Sequence, residues 1–296
     1  MKVLVVHNTY QTRGGEDLVF EVETELLSQN GINVQKYIVD NKGITSFFDK
    51  VKTLLTTHYS SSSKNKFLAA IDEFSPDVVH VHNFFPLITP SIFDACKEAG
   101  VPRVFTLHNY RIVCPTALLM FRGKVCEKSI KGSAYWAVPY KVYKDSFIGT
   151  LSLAHMIEYH KKRKTWEKKV DRFICLTSFA KNKFIEAGLP EEKISIKPNF
   201  IPDPGYERKP IDEKTYGVFL GRLSKEKGVD IAIKAWGEIN FPLKVIGPGE
   251  ASEFGVISDS VELMGKMDPV DVMSILRGCK FLVVPSIWYE GFPMVI

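Results

Sequence analysis

The sequence lacks most of the patterns that announce a function quickly. Its opening stretch, "MKVLVVHN", holds only four consecutive apolar residues, Val3–Val6. That is too few for a secretory h-region or a membrane span, so the cytoplasm is the expected compartment. Cysteine is sparse: the five (Cys96, Cys114, Cys126, Cys175 and Cys279) are odd in number and widely scattered, which excludes a disulfide framework. No Walker pattern and no G-x-G-x-x-G occurs, so the usual nucleoside-triphosphate and dinucleotide fingerprints are absent. With no Asp-x-Asp either, a tight metal site for a diphosphate is not written in the obvious way. Nor is there finger or basic-zipper spacing, and nucleic acid is not an expected partner.

What the 296 residues do contain is enough for two domains, with 45% hydrophobic and 25% charged residues, the balance of a globular chain with a real core. The formal net charge is +5, and much of the excess lies in "EYHKKRKTWEKKV", residues 158–170. That run is either a solvated helix face or a surface for anionic lipid.

Short apolar runs alternate with amphipathic stretches. Val3–Val6 reads as a strand, and after Gly14-Gly15 the segment "EDLVFEVETELLSQNG" reads as a helix with Leu18, Val22 and Leu26 on its apolar face. "INVQKYIV", "DVVHVH", "VPRVFTLH", "RFICLT" and "KISIKPN" follow as strands, with helices near "KFLAAIDEF", "PSIFDACKEAG" and "SFAKNKFIEAG" between them. The proline- and acid-rich "PNFIPDPGYERKPIDEKTYG" reads as a linker. Beyond it the alternation resumes in "GVFLGRL", "KGVDIAIKAWGEI", "LKVIGPG", "VELMG", "PVDVMSILRGC" and the buried strand "KFLVVPS". The expected fold is α/β, two Rossmann-like parallel-sheet domains of about six and four strands. The first covers 1–204 and the second, incomplete, 205–296.

Ligands of open parallel sheets bind at the carboxyl ends of strands, beside helix N-termini, so the residues just after strands are the candidates. In "GRLSKEKG", Arg222 and Lys227 can neutralise a diphosphate, Arg through its planar fork and Lys as a point charge. Read alone, they are as well a pair of surface charges around a helix start. Gly14 and Gly15 let backbone amides approach a phosphate, or simply make a turn. His108, after "VFTL", is a general base, a hydroxyl ligand or a structural hydrogen-bonder. His80 and His82 are placed on opposite faces of their strand, so that at most one reaches the carboxyl edge. Glu290 can accept hydrogen bonds from two neighbouring sugar hydroxyls, or stand as an acid favoured by a helix N-terminus.

In register along the chain, "TRGGE", "DVVHVHN", "FTLHNYR", "ICLTSFAKNKFIEAGLPEEKISIKPNFI", "FLGRLSKEKGVDIAIKAW", "LKVIGPGE" and "VPSIWYEGFPMVI" resemble the retaining GT-B glycosyltransferases of the large family numbered four. "HNYRIVCPTALLMFRGKVCE" is similar to a subgroup that elongates bacterial surface polysaccharides. The resemblance implies two domains facing across a cleft and transfer of a sugar from a nucleotide diphosphate to an acceptor hydroxyl, with retention and without a divalent metal. It implies that Arg222 and Lys227 hold the donor diphosphate, and that Gly14 and Gly15 approach phosphate and acceptor. His108 would lie near the transferred sugar. Glu290 would contact the donor sugar's hydroxyls, with Gly291, Phe292 and Pro293 lining the pocket. The second acid of the family's Glu-x7-Glu pattern would fall beyond Ile296, so the sequence is expected to be C-terminally truncated. Cys114 and Cys126 are expected to be free thiols. The implied partners are a nucleotide-sugar donor, a polysaccharide or lipid-linked acceptor, and an anionic membrane surface met through residues 158–170, at the inner face of the cell membrane. Two other readings stand beside it: a GT-B nucleotide-sugar 2-epimerase, and a truncated chain with binding function only.

Overall fold

A computed structural model of the chain describes residues 1–10, 14–41, 46–203, 205, 210–250 and 254–296, the side chains of 47, 48 and 50 excepted. Residues 11–13, which include Thr12 and Arg13 of the "TRGGE" motif, and Pro204 and 206–209, within the expected linker, lie outside the described residues.

The chain packs as two units. One comprises Met1–Phe121, Cys126–Pro202 and Gly291–Met294; the other comprises Arg122–Val125, Asp203–Glu290 and Val295–Ile296.

In the first unit the strands are β1 (Lys2–Thr9), β2 (Asn33–Asp40), β3 (Val78–Asn83) and β4 (Arg103–Leu107). After the two-residue strand β5 (Met120–Phe121), and past β6 (Lys124–Val125), which belongs to the other unit, come β7 (Arg172–Cys175) and β8 (Ile194–Ile196). The order is β2-β1-β3-β4-β7-β8, and every pairing is parallel. Parallel neighbours need a crossover, which the chain supplies through α1 (Gly15–Gln29), α2 (Phe47–Thr56), α3 (Ser61–Phe74), α4 (Ile92–Glu98), α5 (Lys128–Lys131), α6 (Phe147–Arg163), α7 (Thr165–Lys169) and α8 (Ser178–Glu186). Val3, Leu4, Val5 and Val6 are all buried, as a strand covered on both faces requires. An aromatic core of Phe84, Phe93, Phe105, Phe173 and Trp166 packs beside β4.

Two readings of this unit are corrected. Helix α1 turns Val19, Phe20, Glu23 and Thr24 inward and leaves Leu18 and Leu26 exposed, so its inner face is one residue round from the expected stripe. That inner face carries the apolar Val19 and Phe20 together with Glu23, whose carboxylate meets His80 and Lys197. His80 and His82 share one face of β3, their ring centroids 4.3 Å apart, because residues two apart in a strand point the same way.

The second unit holds β9 (Gly217–Leu220), β10 (Leu243–Ile246), β11 (Val261–Gly265) and β12 (Phe281–Leu282), in the parallel order β11-β10-β9-β12. Helices α9 (Val229–Trp236) and α10 (Pro269–Gly278) alternate with them. Phe219, Val229, Ile233, Trp236, Leu243 and Val245 form its core. The "KFLVVPS" segment was expected to be a buried strand; β12 is instead a two-residue edge strand paired on one side only, and Phe281 is exposed. With parallel sheets in two Rossmann-like units, the fold is α/β of the GT-B class.

Candidate functional site

At the carboxyl edge of the first sheet a run of imidazoles lies side by side. His82 Nδ1 is 3.0 Å from His108 Nε2, and the two rings stack. His7 stacks on Phe20, whose edge meets His82. Burial, with the nearby His7, His80 and Lys197, pushes the half-buried His108 down to about 3. Burial likewise lowers His80 to about 4, against the pull of Glu23, and holds His82 well below the usual imidazole range. At neutral pH these three rings are uncharged, able to hydrogen-bond but unable to supply a fixed cation.

Gly14 caps α1 and Gly15 opens it. The Gly14 amide donates to Asp17 Oδ2 at 2.7 Å, and Asp17 Oδ1 lies 2.8 Å from His7 Nε2. Burial pushes the Asp17 carboxyl up, but the His7 ring and the Gly14 amide outweigh it and hold it below its usual value. The helix therefore meets its own carboxylate at this terminus, and a phosphate arriving there has to share those amides with it.

The sequence reading passed over Glu16 and Asn109. Glu16 accepts from Asn109 Nδ2 at 2.5 Å and from the Tyr10 hydroxyl at 2.8 Å. Burial raises its pKa, while those two hydrogen bonds oppose the rise. Both residues were visible as parts of "TRGGE" and "HNYR", yet only contact across 93 positions joins them. Tyr10, His82, His108, Asn109 and Arg111 line a small pocket here, and the Arg111 guanidinium lies over the Phe85 and Tyr143 rings at 5.0 and 5.5 Å. Elsewhere in this unit, Asn199 Nδ2 donates to the Phe292 carbonyl at 2.7 Å, in the segment that carries Gly291 and Pro293.

The second unit assembles the charged candidates. Lys227 Nζ forms an ion pair with Glu290 Oε1, and the Ser286 hydroxyl donates to Glu290 Oε2. Arg222 is 64% exposed, with its Nη2 3.4 Å from Glu226 Oε1. The Glu226 carbonyl in turn accepts from the Ile287 amide at 3.0 Å, which ties the "GRLSKEKG" loop to the segment after β12. Two glycines make that approach possible. Gly228 has φ +68°, and a Cβ on it would land on the Pro285 carbonyl oxygen. Gly247 has φ +145°, and a Cβ there would land on the Gly221 carbonyl oxygen, beside Arg222. The structure thus joins Lys227 to Glu290 directly and Arg222 to the same loop through Glu226. Free thiols are found at Cys114 and Cys126.

A family model described as Glycosyltransferase Family 4 matches residues 52–203, and one described as Glycosyl transferases group 1 matches residues 207–296. The chain belongs to Glycosyltransferase Family 4. An uncharacterized glycosyltransferase of Methanocaldococcus jannaschii is 34% identical over 131 residues, covering 42% of this chain and 36% of that protein. An uncharacterized 42.6 kDa protein in the cps region of Klebsiella pneumoniae is 27% identical over 250 residues, covering 80% of this chain and 58% of that protein. The chain therefore spans about a third and somewhat over half of the length of these relatives. Among solved structures, Anabaena HepE in complex with UDP aligns over 100% of this chain and 77% of its own, with a TM-score of 0.58 and 16% identity. Among the described residues of this family member, no helix is long and apolar enough to cross a membrane.

Proposed function

We propose that the chain carries out retaining transfer of a sugar from a nucleotide-diphosphate sugar to a hydroxyl of a polysaccharide or lipid-linked acceptor. The Lys227–Glu290–Ser286 cluster beside the exposed Arg222 is the observation that carries this reading. In it, Lys227 and Arg222 take the donor's diphosphate, whose charge grows as the glycosyl bond breaks, and no divalent ion is required there. Glu290, paired with Lys227, accepts hydrogen bonds from the donor sugar's hydroxyls. Gly291, Phe292 and Pro293 line that pocket. His108, neutral at working pH, hydrogen-bonds the transferred sugar, and Gly14 and Gly15 face the phosphate and acceptor.

In the step itself the bond from the anomeric carbon to the diphosphate oxygen breaks, and its electron pair leaves with the diphosphate. The acceptor oxygen attacks the same face and bonds the anomeric carbon, and its proton passes to a departing phosphate oxygen. A neighbour solved with UDP and with UDP-glucose supports a uridine diphosphate sugar as the first donor to test. Helix α6 exposes Phe147, Ile148 and Leu151 near its start and the basic Lys161, Lys162 and Arg163 at its end. This supports peripheral docking on an anionic membrane through residues 158–170. Sedimentation no greater with anionic than with neutral liposomes would end that part.

The test is transfer of radiolabelled sugar from UDP-glucose and other nucleotide sugars to polysaccharide and lipid-linked acceptors, with the anomeric configuration of the product read by NMR. Arg222→Ala and Lys227→Ala should each abolish most transfer. Unchanged turnover in both removes the diphosphate clamp. A donor sugar altered in acceptor-free mixtures favours a 2-epimerase instead.

A further inference from the structure

The first unit buries a cluster that the proposed transfer does not use. Glu23 on α1 and His80 and His82 on β3 are each buried, and one ligand atom from each lies within 4.8 Å of the others. His80 Nδ1 is 3.5 Å from Glu23 Oε1, and His82 Nε2 is 4.0 Å from Glu23 Oε2. Two ligands about 2.0–2.1 Å from a tetrahedral ion stand roughly 3.3–3.4 Å apart, so these separations are near those of a first coordination shell. Buried His82 Nε2 has no hydrogen-bond partner among the described residues, although it is aimed at a carboxylate.

The outer nitrogens of both rings are already engaged. His80 Nε2 lies 2.8 Å from Thr106 Oγ1, and His82 Nδ1 lies 3.0 Å from His108 Nε2. If the protons sit on those outer nitrogens, the inner His80 Nδ1 and His82 Nε2 both present lone pairs toward Glu23. Two lone pairs converging on a carboxylate in a buried space repel one another unless a cation joins them. Metal-bound histidines are held in this way, with the second ring nitrogen donating to a neighbouring acceptor.

We propose that Glu23, His80 and His82 form a binding site for a divalent transition ion of the zinc class, separate from the diphosphate-binding residues of the second unit. Two imidazoles and one carboxylate suit such an ion and not magnesium, which prefers oxygen ligands and retains its water. The ion takes lone pairs from His80 Nδ1 and His82 Nε2 and from the Glu23 carboxylate, leaving a further position for water. Lys197 is the competitor: its Nζ lies 2.8 Å from Glu23 Oε2, with the lysine side chain 36% exposed. Ion binding displaces that ammonium toward solvent. It also fixes the His82 proton on Nδ1, from which it donates to His108 Nε2, so the ion sets the tautomer of the ring read above as facing the sugar. The site itself does not depend on that reading.

The chelator-stripped 296-residue chain is titrated with Zn²⁺ by calorimetry, with Mg²⁺ as the control and Co²⁺ absorption as the reporter of geometry. One equivalent of Zn²⁺ should bind, Mg²⁺ should not, and Co²⁺ should give the intense visible bands of a low-coordinate site. Glu23→Gln and His82→Gln should each weaken Zn²⁺ more than about 100-fold, since even outer-shell changes cost 10- to 100-fold. Lys197→Gln should tighten it roughly tenfold by removing a like charge. Absence of Zn²⁺ binding to the parent chain overturns the site, as does parent-like affinity in folded Glu23→Gln. Should circular dichroism find the Glu23 and His82 variants unfolded, the more exposed Lys197→Gln decides: unchanged or weaker Zn²⁺ affinity overturns the proposal.

Discussion

Lys227→Met and Glu290→Gln probe an ion pair that joins two of the residues singled out in the sequence. Their side chains are 21% and 14% exposed, which places the pair between the surface and the interior. An exposed pair is worth about 0–1 kcal/mol, whereas removing one partner of a fully buried pair costs about 3–5 kcal/mol. Partial burial sets each single substitution at about 2 kcal/mol. Most of that is the cost of the charge left behind, so the double substitution should cost about the same as one single and not about twice as much. The coupling in a double-mutant cycle read from urea midpoints is then about 2 kcal/mol. Ligand binding separates the two residues. Calorimetry with UDP, which carries the diphosphate but not the transferred sugar, should show Lys227→Met weakened about 30- to 100-fold, as expected for loss of one partly screened charge contact. Glu290→Gln should bind UDP as well as the parent or better, because it frees the ammonium, and yet should lose sugar transfer. Parent-like UDP affinity in Lys227→Met, or weakened UDP affinity in Glu290→Gln, would refute this reasoning.

Acid should destabilise the first unit through its buried histidines. Folded His80 and His160 are lowered to about 4 and His108 to about 3, from an unfolded value of 6.5, so the unfolded chain binds more protons below that value. Stability is then complete above roughly pH 6.5 and falls as pH drops toward 4, by about 1.4 kcal/mol per pH unit for each group. A urea midpoint that stays level from pH 7 to pH 5 would contradict it. Gly228→Ala forces a side chain into a left-handed backbone and onto the Pro285 carbonyl, and should cost roughly 2 kcal/mol or more of second-unit stability, read by denaturant unfolding. Asn8→Ala should cost about 3 kcal/mol in the same assay. Its side chain accepts from the Leu87 and Ile88 amides and donates to the Val39 carbonyl and Asn41, all of which would lose that partner. Arg222→Ala, by contrast, should leave the unfolding midpoint unchanged, because that side chain is mostly in water.

The alternation of short apolar runs with amphipathic stretches determined the element types, and with them the parallel sheets of six and four strands. Periodicity is a local property, set by how each segment buries one face, and it survives without knowledge of the neighbours. The positions just after strands also followed, since a parallel sheet places them at one edge: His108 follows β4 directly and Arg222 lies two residues past β9. Which groups these residues meet was decided by the tertiary structure. Lys227 and Glu290 are 63 positions apart and meet only because β12 returns to the edge beside β9. The inner face of α1 could not be chosen by counting apolar residues, since Glu23 is turned inward to His80 and His82 of β3 and to Lys197 just past β8, all far along the chain. A polar group's burial depends on its partner, and the partner is fixed only when the crossovers close.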